Sequence, residues 1–221
     1  MPASAGPEFL AVSLAHVVRE PAGVPEGALI LLHGRGADEH DLHPVLDVLD
    51  PDRRLVGLTP GGPLSLPPGG RHWYVVERVG FPHRDTFAPA LRQLEGFLDG
   101  WLAERHLAWD RVVLGGFSQG AVMSYAVGLG PGRPSPAGIL AMSGFVPVVE
   151  GWEPDLASRR GLPVSISHGS KDPVIGVDFA RQARDLLSEG GLAVEYHESP
   201  VDHQLDPSTL PLLQAWVAAR I

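Results

Sequence analysis

Gly116-Phe117-Ser118-Gln119-Gly120 sets a serine between two glycines, directly after the apolar run Val112-Val113-Leu114 and directly before Ala121-Val122-Met123. A serine hydroxyl is a weak nucleophile until a neighbouring base takes its proton, and the base in turn needs a group that orients it. A sharp strand-to-helix turn supplies the first condition, because it lifts the hydroxyl clear of the sheet in a strained backbone geometry. Side chains at Gly116 or Gly120 would strike neighbouring backbone in such a turn. The string alone is weak evidence. With 27 glycines in 221 residues, a G-x-S-x-G arises by chance roughly 0.2 times in a chain of this composition. Its context is more specific, since two β-branched valines precede it and seven residues without Pro or Gly follow it, as strand, turn and helix require.

The base is sought among ten histidines. Enzymes with this elbow run serine, then acid, then histidine along the chain, and only His168, His197 and His203 follow Ser118. His168 ends the strand that should carry the acid, and His197 lies within or at the edge of a strand. His203 stands in a polar loop before the last helix, where an imidazole can swing over the serine; it is the expected base, with His197 as fallback. Asp172, in Gly169-Ser170-Lys171-Asp172-Pro173, precedes it by one strand-helix-strand unit and is the expected orienting carboxylate, against the alternative of an Asp-Pro turn former. Asp155, Asp178 and Asp202 are weaker choices, placed in a loop, on a helix and beside the histidine itself.

Acyl transfer also needs two N–H donors aimed at the developing oxyanion. One is the backbone of Gln119. The other is the backbone of Arg35, in His33-Gly34-Arg35-Gly36-Ala37 directly after an apolar strand. A dinucleotide fingerprint is disfavoured there, because Glu39 stands where its third glycine belongs. Asp38-Glu39-His40-Asp41-Leu42-His43 offers metal-ligand types without a second cluster, so it reads as an acidic helix start complementing the helix dipole, and no metal is expected. Sixteen of the seventeen basic residues are Arg and the only lysine is Lys171. A P-loop is thereby excluded, and no cofactor is expected.

These groups need elements to hold them. Strands are expected at Phe9–Val18, Ala28–Leu32, Leu55–Leu58, Val112–Gly115 ahead of the elbow, Gly138–Met142, Pro163–His168 and Ala193–His197. Helices are expected at Asp38–Leu49, Asp85–His106, Ala121–Val127 and Val177–Ser188, with a last helix capped by Asp206 and begun by Pro207. The alternation implies an α/β class with a mostly parallel sheet covered on both faces. In such sheets ligands bind beyond the carboxyl ends of the strands, where each residue singled out above falls. Residues 59–84 interrupt the rhythm with a long Pro- and Gly-rich loop around Trp73-Tyr74, a length usually retained for function.

Composition agrees with one domain over residues 1–221, at 44% hydrophobic residues and without a linker-like stretch. The net charge of −9 argues against nucleic acid or an anionic membrane as partner. No cysteine is present, which excludes a thiol nucleophile and leaves the compartment open. No apolar run approaches a membrane span, and the first residues have no leader-like pattern, so a cytoplasmic location is expected.

Together, Leu32-His33-Gly34-Arg35-Gly36, Arg71-His72-Trp73-Tyr74, Gly116 to Ala121, Ser143-Gly144-Phe145-Val146-Pro147, His168-Gly169-Ser170-Lys171-Asp172-Pro173-Val174 and His203-Gln204-Leu205 resemble the carboxylesterase, lysophospholipase and acyl-protein thioesterase group of small α/β-hydrolases. The resemblance spans nearly the whole chain. It implies an α/β-hydrolase fold without a large cap domain, a triad of Ser118, Asp172 and His203, an oxyanion hole from the Arg35 and Gln119 backbone, and a shallow acyl groove involving Trp73, Tyr74, Phe145 and Val174. It also implies hydrolysis of short- to medium-chain carboxylic esters through an acyl-enzyme, with thioesters or lysophospholipids as alternative substrates and a homodimer as a possible assembly. A non-catalytic binding module of the same fold is the minor alternative, disfavoured because no triad member is missing. Three positions depart from the group's pattern: Arg35 where an apolar residue is common, Val75 where an acid often stands, and Asp202 where glycine is common. Arg35 could select a carboxylate-bearing or otherwise polar ester, or point to solvent.

Overall fold

Strand β2 (Ala28–Leu32) is completely buried, and its alternation explains the architecture. Ala28, Ile30 and Leu32 join one apolar core, while Leu29 and Leu31 join another on the opposite face. A strand with two buried faces belongs at the centre of a sheet covered by helices on each side. The computed structural model describes residues 13–221. In chain order its elements are β1 (His16–Arg19), β2, α1 (His43–Leu49), β3 (Val56–Pro60), β4 (Leu64–Ser65), β5 (Arg71–His72), β6 (Val76–Arg78), β7 (Phe81–Pro82), α2 (Arg84–Glu104), β8 (Val112–Phe117), α3 (Gln119–Gly128), β9 (Gly138–Met142), β10 (Pro163–Gly169), α4 (Asp178–Glu189), β11 (Ala193–Ser199) and α5 (Leu210–Ala218).

Seven strands form the central sheet in the order β1-β3-β2-β8-β9-β10-β11, with β1 antiparallel to β3 and all other pairs parallel. Helices α2, α3 and α4 cover one face and α1 and α5 the other. This is the α/β-hydrolase arrangement. Among the described residues no helix is long and apolar enough to cross a membrane.

Register brings the functional ends of the strands together. Leu32 lies opposite Gly116, Phe117 opposite Met142, Met142 opposite Ser167, and Gly169 opposite Ser199. The loops after β2, β8, β10 and β11 therefore emerge along one edge of the sheet.

Several boundaries differ from expectation. The helix expected from Asp38 begins only at His43, with Pro44 in its first turn and no acid there. The acids are used locally instead: Asp38 Oδ1 accepts from the His40 N–H at 2.9 Å, and Glu39 faces Arg71 at 3.4 Å. Asx turns of this kind compete with helix, which explains the late start. The final helix begins at Leu210, after a turn in which Asp206 accepts from the Ser208 N–H at 2.9 Å. The opening strand is His16–Arg19, and Phe9 to Val12 of its expected span lie outside the described residues. Residues 61–84 are not a featureless loop, because β4 pairs with β5 and β6 with β7 in two small antiparallel ribbons.

Candidate active site

Ser118 sits between β8 and α3 with φ 56° and ψ −118°, a left-handed conformation that costs a non-glycine residue of order 1–3 kcal/mol. The surroundings hold it there. Its N–H donates to the Met142 carbonyl at 2.8 Å, and its own carbonyl accepts from Val122 at 3.2 Å. A Cβ on Gly120 would collide with the Leu32 carbonyl, and one on Gly116 with the Gly120 backbone. The glycines are there because β2, β8 and α3 converge more closely than any side chain permits.

The Ser118 hydroxyl donates to His203 Nε2 at 2.9 Å, and His203 Nδ1–H donates to Asp172 Oδ2 at 2.6 Å. These partners derive from neighbouring strand ends. Ladder bonding continues past the sheet, with Ser170 N–H on the Ser199 carbonyl at 2.7 Å and Lys171 N–H on Val201 at 3.1 Å. The acid loop and the histidine loop are thus laced together. Asp172 is buried, and its Oδ1 accepts from the N–H groups of Val174 and Ile175, both at 2.8 Å. Burial pushes its pKa up, but the His203 hydrogen bond and those two N–H donors outweigh it, and the net displacement is downward. The carboxylate stays charged where it faces the imidazole. Phe117 supports the other side of His203, ring centroids 4.9 Å apart.

The loop after β2 lies against the elbow, since a Cβ on Gly34 would stand 3.4 Å from the Ser118 Cβ. Among the described residues neither the Arg35 N–H nor the Gln119 N–H has an acceptor, and both residues border the cavity that contains Ser118. Two N–H donors without acceptors beside a serine hydroxyl are suited to a developing oxyanion.

Two buried side chains fasten this loop and the long loop in place. His33 Nε2 accepts from the Gly62 N–H at 2.8 Å while Nδ1–H donates to the Gly34 carbonyl at 2.7 Å, a partner set that assigns the neutral Nδ1–H tautomer. Burial pushes its pKa down, in agreement. The Gln119 side chain accepts from Trp73 N–H at 2.8 Å and donates to the Tyr74 carbonyl at 2.7 Å. Its amide clamps the long loop onto the elbow, a role that sequence spacing did not reveal.

The cavity over Ser118 has a volume of about 340 Å³, at the small end for ligand sites. Of the four residues named for an acyl groove, Tyr74, Phe145 and Val174 border it, and so do Arg35 and Gln119. Trp73 does not. Its ring is completely buried, its Nε1–H donates to the His33 carbonyl at 2.9 Å and it lies 5.3 Å from the His33 ring. Trp73 is a strut beneath the loop after β2, since an indole with a satisfied N–H is most stable away from water. Val76, Arg78 and Val79 of the second long-loop ribbon, and Ile175, complete the lining, and sequence reading missed them because a loop without periodicity does not reveal which side chains turn inward.

Of the other candidates, His197 lies inside β11 in register with Ser167. His168 is buried beside Asp172, donating Nε2–H to the Ile175 carbonyl at 2.7 Å with Asp172 Oδ2 at 3.3 Å. It supports the loop that carries the acid, and burial lowers its pKa.

The fold is that of an α/β-hydrolase, with Ser118 held in a tight strand-to-helix turn between β8 and α3. The model of the Phospholipase/Carboxylesterase family matches residues 14–221, and the chain belongs to that family. It is 28% identical to acyl-protein thioesterase 1 of Debaryomyces hansenii over 158 residues, 68% of this chain and 65% of that one. It is 27% identical to the putative hydrolase MhqD of Bacillus subtilis, over 88% of this chain and 94% of that one. The Bacillus cereus carboxylesterase structure superposes with a TM-score of 0.81 at 22% identity, covering 94% of this chain and 95% of that one. The chain is a hydrolase of the esterase and thioesterase type.

Proposed function

We propose that the protein is a serine carboxylesterase acting on short- to medium-chain acyl esters. The observation that carries this is the unbroken relay from Ser118 Oγ through His203 to Asp172, at 2.9 and 2.6 Å, beside two N–H groups without acceptors. Ser118 Oγ attacks the ester carbonyl as neutral His203 Nε2 takes its proton. The oxygen that becomes negative is held by the N–H groups of Arg35 and Gln119. The tetrahedral species collapses with loss of the alcohol, which receives the proton from His203, and leaves an acyl-Ser118 ester. Water then loses a proton to His203 and attacks that ester, and the acid departs as the proton returns to Ser118. Asp172 remains ionised and stabilises the imidazolium formed in each half.

The cavity volume of about 340 Å³ supports a small acyl group, and the exposed Val174 at its border offers apolar surface to a somewhat longer one. Thioester cleavage is the second reading, favoured by the acyl-protein thioesterase relative; the same relay serves a thiolate leaving group. A panel of oxygen esters and thioesters of graded acyl length discriminates the two. Ser118→Ala is expected to remain folded and to lose kcat by about 10⁶-fold, the scale seen when such a nucleophile is removed, together with labelling by a fluorophosphonate probe. Turnover within tenfold of the parent would sink the assignment.

A further inference from the structure

Arg35 and Arg78 enter one cavity from different elements, the loop after β2 and strand β6. Among the described residues they are the only charged ones that line it, and the remaining lining is mostly apolar, including Val76, Phe145 and Val174. Both arginines are exposed and neither has an Asp or Glu partner among the described residues. Among the described residues eight of the other fourteen arginines have a carboxylate partner, as Arg54 has Glu26 at 2.6 Å, Arg133 has Asp99 at 2.7 Å and Arg181 has Glu198 at 2.8 Å; what sets Arg35 and Arg78 apart is that they share one cavity. In a chain of net charge −9, two guanidinium groups without carboxylates beside the nucleophile are a local reversal of the molecule's own field. Arg78 is also placed, with its guanidinium carbon 3.8 Å from the Phe81 ring centroid. Stacking of that kind orders the side chain while leaving its N–H groups available to an anion.

We propose that Arg35 and Arg78 select esters carrying a carboxylate, so that the preferred substrate of the esterase reading above is anionic. The negative group can belong to the acyl part or to the alcohol part, and paired substrates separate the two. On the acyl side, p-nitrophenyl hydrogen adipate is compared with its terminal carboxamide. On the alcohol side, 4-carboxyphenyl pentanoate is compared with 4-carbamoylphenyl pentanoate. In one pair at least, kcat/KM is expected to be about tenfold or more higher for the charged member, the scale of a charge-assisted contact. Arg78→Gln and Arg35→Gln should each pull that ratio toward one, and Arg78→Lys should retain part of it because the charge remains without the planar fork. A ratio of one or less in both pairs, or a ratio unmoved in both glutamine variants when circular dichroism shows them folded, overturns the proposal.

Binding to the Ser118→Ala protein does not depend on turnover. Calorimetric titration should show adipate binding about tenfold or more tighter than adipamide, and equal binding also overturns the proposal. If wild-type protein cleaves none of the four esters while Ser118→Ala still prefers adipate, the anion site stands and the esterase reading falls.

Discussion

Asp172 illustrates how one side chain can be assigned a task by its surroundings. Its two oxygens divide the work, Oδ1 taking the N–H groups of Val174 and Ile175 and Oδ2 the imidazole of His203. Asp172→Asn keeps the shape but exchanges a charged acceptor for an amide that can present N–H to His203, which favours the wrong tautomer for a base. On the proposed mechanism a fall in kcat of about 10⁴-fold is expected, the scale for triad aspartates of serine hydrolases, with little change in KM. Full activity in the variant would show that His203 is not oriented by this residue. At the same scale, Ser118 keeps its left-handed backbone because the flanking glycines let β2, β8 and α3 close around it.

Among the elements, the long loop between β3 and α2 depends on contacts made by two residues far from it in sequence, His33 and Gln119. Gln119→Leu retains the backbone N–H proposed for the oxyanion but leaves the Trp73 N–H and Tyr74 carbonyl without the partners they have at 2.8 and 2.7 Å. Burying such groups unsatisfied costs about 1–3 kcal/mol. Urea denaturation should show that loss, and KM should rise more than kcat falls, because Tyr74 and the β6 residues line the cavity. Unchanged stability would mean that the clamp contributes nothing. The motif positions of this element were legible as a resemblance, but their division of labour was not. Trp73 and Tyr74 are adjacent in sequence, yet Tyr74 borders the cavity and Trp73 supports the loop beneath it.

Across the whole molecule, the buried imidazoles set how stability responds to acid. His33 and His168 both have folded-state pKa values pushed down by burial, below the value of about 6.5 for an unfolded histidine. As pH falls below that value the unfolded chain takes up protons that the native state refuses, so the free energy of unfolding decreases. Each imidazole contributes a slope of at most about 1.4 kcal/mol per pH unit. Asp172, also displaced downward, adds its own loss only below about pH 4, near the unfolded carboxylate value. Unfolding measured between pH 5 and 8 should therefore show stability flat above about pH 7 and declining toward pH 5, with a shallower decline in His33→Gln. An identical slope in that variant would exclude His33 as a contributor.

Legible in the sequence were the strand and helix order, the strand-turn-helix around Ser118, and the placing of Ser118, Asp172 and His203 after β8, β10 and β11, because these depend on local periodicity, on glycines at fixed spacing and on residues placed just after strands. Helix starts were less legible, as at Asp38, where Asx turns compete with helix over a few residues. Only the tertiary structure decided that the loops after β2, β8, β10 and β11 meet along one edge, since that follows from strand order and register. It also decided which long-loop side chains face the cavity, and that Arg78 joins Arg35 there. Forty-two residues separate those two arginines in sequence, and no local pattern records a meeting made by the folding of two loops over one sheet.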